Sequence, residues 1–267
     1  MWLISVVVLS VVGYFVSGRK LPVEVVDNLN HVVSEDLAPS ERLVALFFVV
    51  GAVVGITPIR IGLRYLSTVV HELGHAFVAG TLGGRPKSIT ISLNSAGLAT
   101  YEVPPDWGRF RATIVSLAGY PAPAVASLAA VNAIHGGHPK GWFTFAVGTL
   151  AISIVLLIRN FWGLLWTAGA VLASFVLSQH VDGQYLALTI SFVAGFLAVE
   201  GLRNSLEQFQ IVRQTSGAGC DAERVAAWWG INSRIVAFGH ILLVSAIAGN
   251  ASIRALQPLW AQIMDRF

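Results

Sequence analysis

Charged residues break this chain into eight uncharged or nearly uncharged stretches: 1–18, 43–59, 65–84, 112–134, 141–158, 160–181, 183–199 and 235–253. Crossing the hydrocarbon core of a bilayer takes about 20 apolar residues, within a range of about 17–25. Each stretch meets that length, with 43–59 and 183–199 at the short end. Lipid offers no partner to a bare peptide group, so each stretch is predicted to be a helix. The pattern predicts an all-α polytopic membrane protein of about eight transmembrane helices, with one integral-membrane domain over 1–267. Within it, 1–63 holds anchor spans and a surface helix, 64–203 a core, and 204–267 a polar loop and the last span.

Three segments depart from the apolar pattern. In 19–42 the spacing of Val25, Val26, Leu29, Val32 and Val33 predicts a short helix lying on the membrane surface. In 86–104, Ile89, Ile91 and Leu93 alternate with Thr90 and Ser92, NSAG supplies a turn, and LATYEV returns. That is a β-hairpin, placed directly after the third stretch. The segment 200–234 is polar until DAERVAAWWG, where Asp221 is the expected N-cap of a new helix. Trp228 and Trp229 follow as expected interfacial anchors, with Trp107, Trp162 and Trp260 in the same belt.

Composition agrees with a membrane setting. The 267 residues are 55% hydrophobic and 12% charged, about half the ~25% charged fraction of soluble domains. The first stretch has no basic residue before it and Arg19–Lys20 after it, the reverse of a secretory signal, which predicts a retained anchor with its N-terminus outside. If all eight stretches cross, loops 19–42, 85–111, 159 and 200–234 share one side and hold 12 of the 17 lysines and arginines. The positive-inside rule makes that side cytoplasmic, in a multi-pass protein of the cell membrane. Anionic headgroups then account for the net charge of +3, and no nucleic-acid partner is called for. A single cysteine, Cys220, excludes an intrachain disulfide.

The chemistry lies in the third stretch, at HELGH (71–75). Between Arg64 and Arg85 the one charged residue is Glu72, and an ionisable group inside an apolar span usually marks function. Positions i and i+4 share a helix face, so His71 and His75 can present ring nitrogens to one ion. Glu72, one residue on, is placed to act on water rather than on the metal. This is the HExxH arrangement of zinc peptidases, which adds a third ligand from elsewhere and leaves a position open for water. Zinc brings the pKa of such a water to about 7, and Glu72 is the expected general base. His135 and His138 lie in a loop beside two glycines, and His240 is expected to hydrogen-bond within the bundle. Pro121 and Pro123 predict a kinked helix beside the site.

From HELGHAFVAGTLGG, through the hairpin, to RATIVSLAGYPAPAVASL (111–128), the chain resembles the site-2 protease family of intramembrane zinc metallopeptidases. RNFWG (159–163) and CDAERVAAWWGI (220–231) are similar to segments of its small bacterial M50B-like branch. The resemblance implies a metallopeptidase core over 64–203 and a Zn2+ cofactor. It also implies cleavage of a membrane-embedded or membrane-proximal protein, and it leaves room for a regulatory membrane partner. The hairpin is then expected to take an extended substrate by strand addition, along Ile89, Ile91 and Leu93.

The third ligand departs from the family pattern, an Asp-Gly pair in a later span after an Asn-Pro-type turn. Asp182–Gly183 lacks that turn and falls on the outer side of the predicted topology. Asp221 falls on the cytoplasmic side and is preferred, with Asp182 as its rival and Asn160 as a third candidate. A non-catalytic relative that binds membrane segments or partner proteins is the alternative function, and the retained His71, Glu72 and His75 speak against it. A transporter or channel would spread polar residues over several spans.

Overall fold

The computed structural model describes residues 41–180, 183–215 and 219–264. The expected anchor at 1–18, the expected surface helix within 19–42 and Asp182 fall outside these residues. In the described residues the order is α1 (Glu41–Ile56), α2 (Arg60–Thr81), β1 (Arg85–Ile91), β2 (Gly97–Glu102), α3 (Arg109–Ala118) and α4 (Ala122–His135). There follow α5 (Pro139–Leu156), α6 (Phe161–His180), α7 (Gly183–Gln214), α8 (Asp221–Trp229) and α9 (Ser233–Met264).

Seven of the eight predicted stretches lie here, and they give fewer crossings than expected. Four helices, α5, α6, α7 and α9, are each long and apolar enough to span a bilayer. Two further pairs pass together but are bent, α1–α2 by 100° and α3–α4 by 60°, so the total is up to six if each pair is one span. Pro58 and Pro121 sit in the two breaks, where a residue without an N–H cannot continue the preceding ladder. Stretches 43–59 and 65–84 are thus one bent pair rather than two straight crossings. Helix α2, which carries HELGH, turns sharply away from the direction of α1.

Helix α7 runs on well past the predicted end at 199, through Glu200, Asn204, Glu207 and Gln208. Charge does not end the helix, because α2 neutralises it. Arg60 Nη1 donates to the fully buried Glu200 at 3.2 Å, and Arg60 and Arg64 both pair with Glu207. Helices α1 and α7 pack in the same direction: Ser191 Oγ donates to the Val44 carbonyl at 2.7 Å, and Gly55 lies against Val199. Between those contacts, a Cβ on Gly51 or Gly195 would collide with the facing backbone of Phe192 or Phe48, the close approach that small residues permit. Strict alternation would send 43–59 and 183–199 across in opposite directions. Their parallel packing sets Arg42 and the residues after Val199 at opposite ends of the bundle, whereas the prediction put them on one side.

The hairpin pairs antiparallel, with Ile89 opposite Ala99 and Ile91 opposite Gly97. Its turn is closed by Ser92 N–H to Ala96 O at 2.8 Å and by left-handed Ser95 at φ 61°. One face of α2 holds it: Tyr65 Oη donates to Leu93 O, and Thr68 Oγ1 donates to Ser95 O at 2.9 Å. The outer edge of β1 is already covered. Ile89 N–H donates to Leu157 O at 2.7 Å, Arg159 N–H donates to Ile89 O at 3.1 Å, and Asn160 closes a two-bond ring with the backbone of Ile91. The open edge of the sheet therefore belongs to β2.

Candidate metal centre

The residues of HELGH divide between two faces of α2. His71 and His75 turn toward α3, α4 and α8, while Glu72 turns toward β2. His75 Nε2 stands 3.1 Å from His71 Nε2 and 3.2 Å from Asp221 Oδ2, and His71 Nε2 stands 3.7 Å from the same oxygen. His75 Nδ1 bonds the Val115 carbonyl at 2.7 Å; with that nitrogen carrying the proton, Nε2 offers its lone pair. Gly119, in the α3–α4 break, closes the cluster from one side, where a Cβ would fall on the Nε2 atoms of both histidines.

Asp221 reaches the site because α8 is clamped to α3. Trp229 Nε1 donates to Thr113 Oγ1 at 2.7 Å, Arg109 Nη1 donates to Trp228 O at 3.0 Å, and the Arg109 guanidinium lies over the Trp229 ring. Of the tryptophan pair expected as interfacial anchors, Trp229 clamps α8 to α3 by its side chain and Trp228 by its carbonyl. Trp107 is a core residue too, packed with Ala79 and Val115, whereas Trp162 and Trp260 are exposed. The expected N-cap role does not hold for Asp221: Cys220 occupies the cap position without a side-chain cap bond, and the aspartate carboxyl points to the histidines. Burial opposes its charge, but hydrogen bonds with His71 and His75 outweigh burial and hold the carboxyl well below the usual carboxylate range. Burial pushes the neighbouring Cys220 thiol up, away from a thiolate.

The other named candidates among the described residues stand elsewhere. Asn160 accepts from Ile91 N–H at 3.0 Å and donates to Ile91 O at 2.7 Å, so both ends of its side chain are engaged by β1. Ile89 and Ile91 are fully buried in the cluster of Tyr65, Val69 and Ile158. Leu93 is exposed at the turn. His135 and His138 belong to no cluster of donors among the described residues. His240 is buried and bonded to Gln208 Oε1 at 2.7 Å.

The donor set suits zinc. Donors about 2.0–2.2 Å from a tetrahedral ion stand about 3.3–3.6 Å apart, and the three separations bracket that range. Two imidazoles and one carboxylate make a three-residue set with a fourth position to spare. Glu72 is buried and stays out of the donor set, pressed against β2: a Cβ on Gly97 would meet its carboxylate, and the Ala99 backbone hydrogen-bonds to it.

The Peptidase M50B-like family model matches residues 42–251, a span that holds every one of these residues. The chain belongs to the Peptidase M50B-like family. No curated protein and no solved structure matches it. M50 peptidases are zinc-dependent in general, and the family includes some inactive members. The apolar helices fit a multi-pass membrane protein. In this M50B-like chain, the residues that reading the sequence did not single out are Gly97, Gly119, Tyr120 and Gln208. Gly119 and Tyr120 stood in the proline-rich segment read only for its kink.

Proposed function

We propose that this M50B-like protein is a zinc endopeptidase that hydrolyses a peptide bond in a membrane-embedded or membrane-proximal protein. The observation that carries the reading is three donors converging from two helices, with a buried carboxylate beside them that is not a donor. Zinc in this site would supply a Lewis acid for the scissile carbonyl and acidify water. His71, His75 and Asp221 would hold it. Glu72, steadied by the backbone at Gly97 and Ala99, takes the proton from the attacking water and returns it to the leaving amine.

The edge of β2 replaces that of β1 as the place for an extended substrate. Ile89 and Ile91 spend their N–H and C=O groups on Leu157, Arg159 and Asn160. Their partners Ala99 and Gly97 therefore sit in non-hydrogen-bonded pairs and turn their own backbone groups to the other edge, where Ala99 meets the Glu72 carboxylate. A strand added there lies against Glu72.

Charge supports the orientation. Of the fourteen lysines and arginines among the described residues, Arg42, Lys140 and Arg254 lie toward the end of the bundle away from the site. The other eleven lie toward the site, an excess that supports a cytoplasmic site end.

Elemental analysis of purified protein, paired with cleavage of a membrane-anchored reporter peptide, tests the reading. Wild type should carry about one zinc, lost in His75→Ala and reduced in Asp221→Ala, because each removes one of three donors. Glu72→Gln should keep the metal and lose at least about 100-fold in turnover. Folded wild-type protein that takes up no zinc when it is supplied would leave the non-catalytic, membrane-segment-binding reading.

A further inference from the structure

The two histidines of the cluster are oriented by different means. His75 is fixed by its bond to the Val115 carbonyl, the usual way in which a ligating imidazole is held. His71 has no such bond among the described residues. Its polar contacts are both made through Nε2, to His75 and Asp221. Its ring is instead met edge to face by Tyr120, with centroids 4.7 Å apart and planes at 88°.

Tyr120 has a support of its own. Its ring stacks on His240 at 4.9 Å with an interplanar angle of 27°. His240 Nδ1 bonds Gln208 Oε1 at 2.7 Å, and both residues are 1% exposed. Each also keeps a buried nitrogen without a partner among the described residues, His240 Nε2 and Gln208 Nε2. A pair of apolar side chains would fill this α7–α9 contact without leaving polar atoms unsatisfied. The pair fixes the plane of the His240 ring, and that plane sets Tyr120.

We propose that Tyr120 is the positioning residue for His71, and that His240, locked by Gln208, is the support that holds Tyr120 in place. The inference rests on His71 being a metal ligand and deepens that reading. Tyr120 arrives at this spot because the α3–α4 break carries the backbone past both histidines at Gly119. An imidazole held by neither Tyr120 nor a hydrogen bond is free to rotate Nε2 away from the ion, and the loss would appear as metal affinity before it appears as chemistry.

The test is zinc affinity by chelator competition on the purified full-length protein, with the visible spectrum of the cobalt(II)-loaded form as a report on coordination. Tyr120→Leu should lose about 10–100-fold in affinity, the range for outer-shell partners of a ligand, with an altered cobalt spectrum. Tyr120→Phe should stay within about threefold of wild type, because the ring and not the hydroxyl meets His71. His240→Leu should shift affinity in the same direction as Tyr120→Leu. The double variant should lose no more than Tyr120→Leu alone, since His240 acts through Tyr120.

Wild-type affinity and an unchanged spectrum in Tyr120→Leu would overturn the inference alone. So would a loss in Tyr120→Phe as large as that in Tyr120→Leu. If Tyr120→Leu does not fold, His240→Leu decides: an unchanged affinity and spectrum overturn the inference. A wild-type protein that takes up no zinc overturns the metal reading and this inference together.

Discussion

Two glycines separate the functions of neighbouring residues in HELGH, and a methyl group at each makes a distinct prediction. At Gly119 it falls on the Nε2 atoms of His71 and His75, so Gly119→Ala should abolish stoichiometric zinc, read by elemental analysis. At Gly97 it meets the Glu72 carboxylate but none of the three donors. Gly97→Ala should therefore keep the metal and lose about 100-fold in turnover, the scale expected when a reacting group is misplaced by about 1 Å. Zinc lost in Gly97→Ala, or retained in Gly119→Ala, would reverse these assignments. His71, His75 and Glu72 were legible in the sequence because helical spacing alone brings the first two together. The glycines were not, since their crowding comes from residues roughly 25–50 positions away. Asp221 was one of three candidates, and what distinguishes it is the clamp of Trp229 on Thr113, a contact between α8 and α3 that no local pattern contains.

The hairpin was visible in its alternation, but which strand is open was not. RNFWG supplies the answer as two side chains acting on backbone. Arg159 donates to the last carbonyls of α5, at Val155 (3.2 Å) and Leu156, and to Ile158 just beyond it (3.1 Å), and Asn160 closes on Ile91. Asn160→Ala leaves the N–H and C=O of Ile91 without these partners, at a cost of about 1–3 kcal/mol per unsatisfied buried group. Amide exchange at Ile91 should quicken correspondingly, while Asn160→Asp, which keeps the acceptor, should protect the Ile91 N–H better than alanine does. Equal exchange in wild type and Asn160→Ala would mean that the clasp does not hold the strand. Helix α7 shows the opposite failure. Its charged and amide residues Glu200, Asn204 and Glu207 read as loop, yet Arg60, Arg64 and Ser67 of α2 provide their partners and the helix continues.

At the scale of the whole molecule, hydropathy identified the apolar helices but not the direction in which each one crosses. Stretches 43–59 and 65–84 look like two spans, and the 100° turn between α1 and α2 is decided by Pro58 and by what α2 packs against. The parallel packing of α1 on α7 then fixes a relation that alternation had inverted. Glu41, at the start of α1, belongs with Gly137 in the α4–α5 loop, on the side opposite Asp106 in the segment between β2 and α3. With eleven of the fourteen basic residues among the described ones at the site end, the proposal that this end is cytoplasmic follows the positive-inside rule. In a Cys220→Ser background, single cysteines at Glu41 and Gly137 should react with a membrane-impermeant maleimide added outside intact cells. A cysteine at Asp106 should react only after the cells are opened. Labelling of Glu41 together with Asp106 would restore the alternating topology and contradict the α1–α7 packing. Labelling of Asp106 alone from outside would keep the packing but turn the metal site outward, and with it the side of the membrane from which substrate must come.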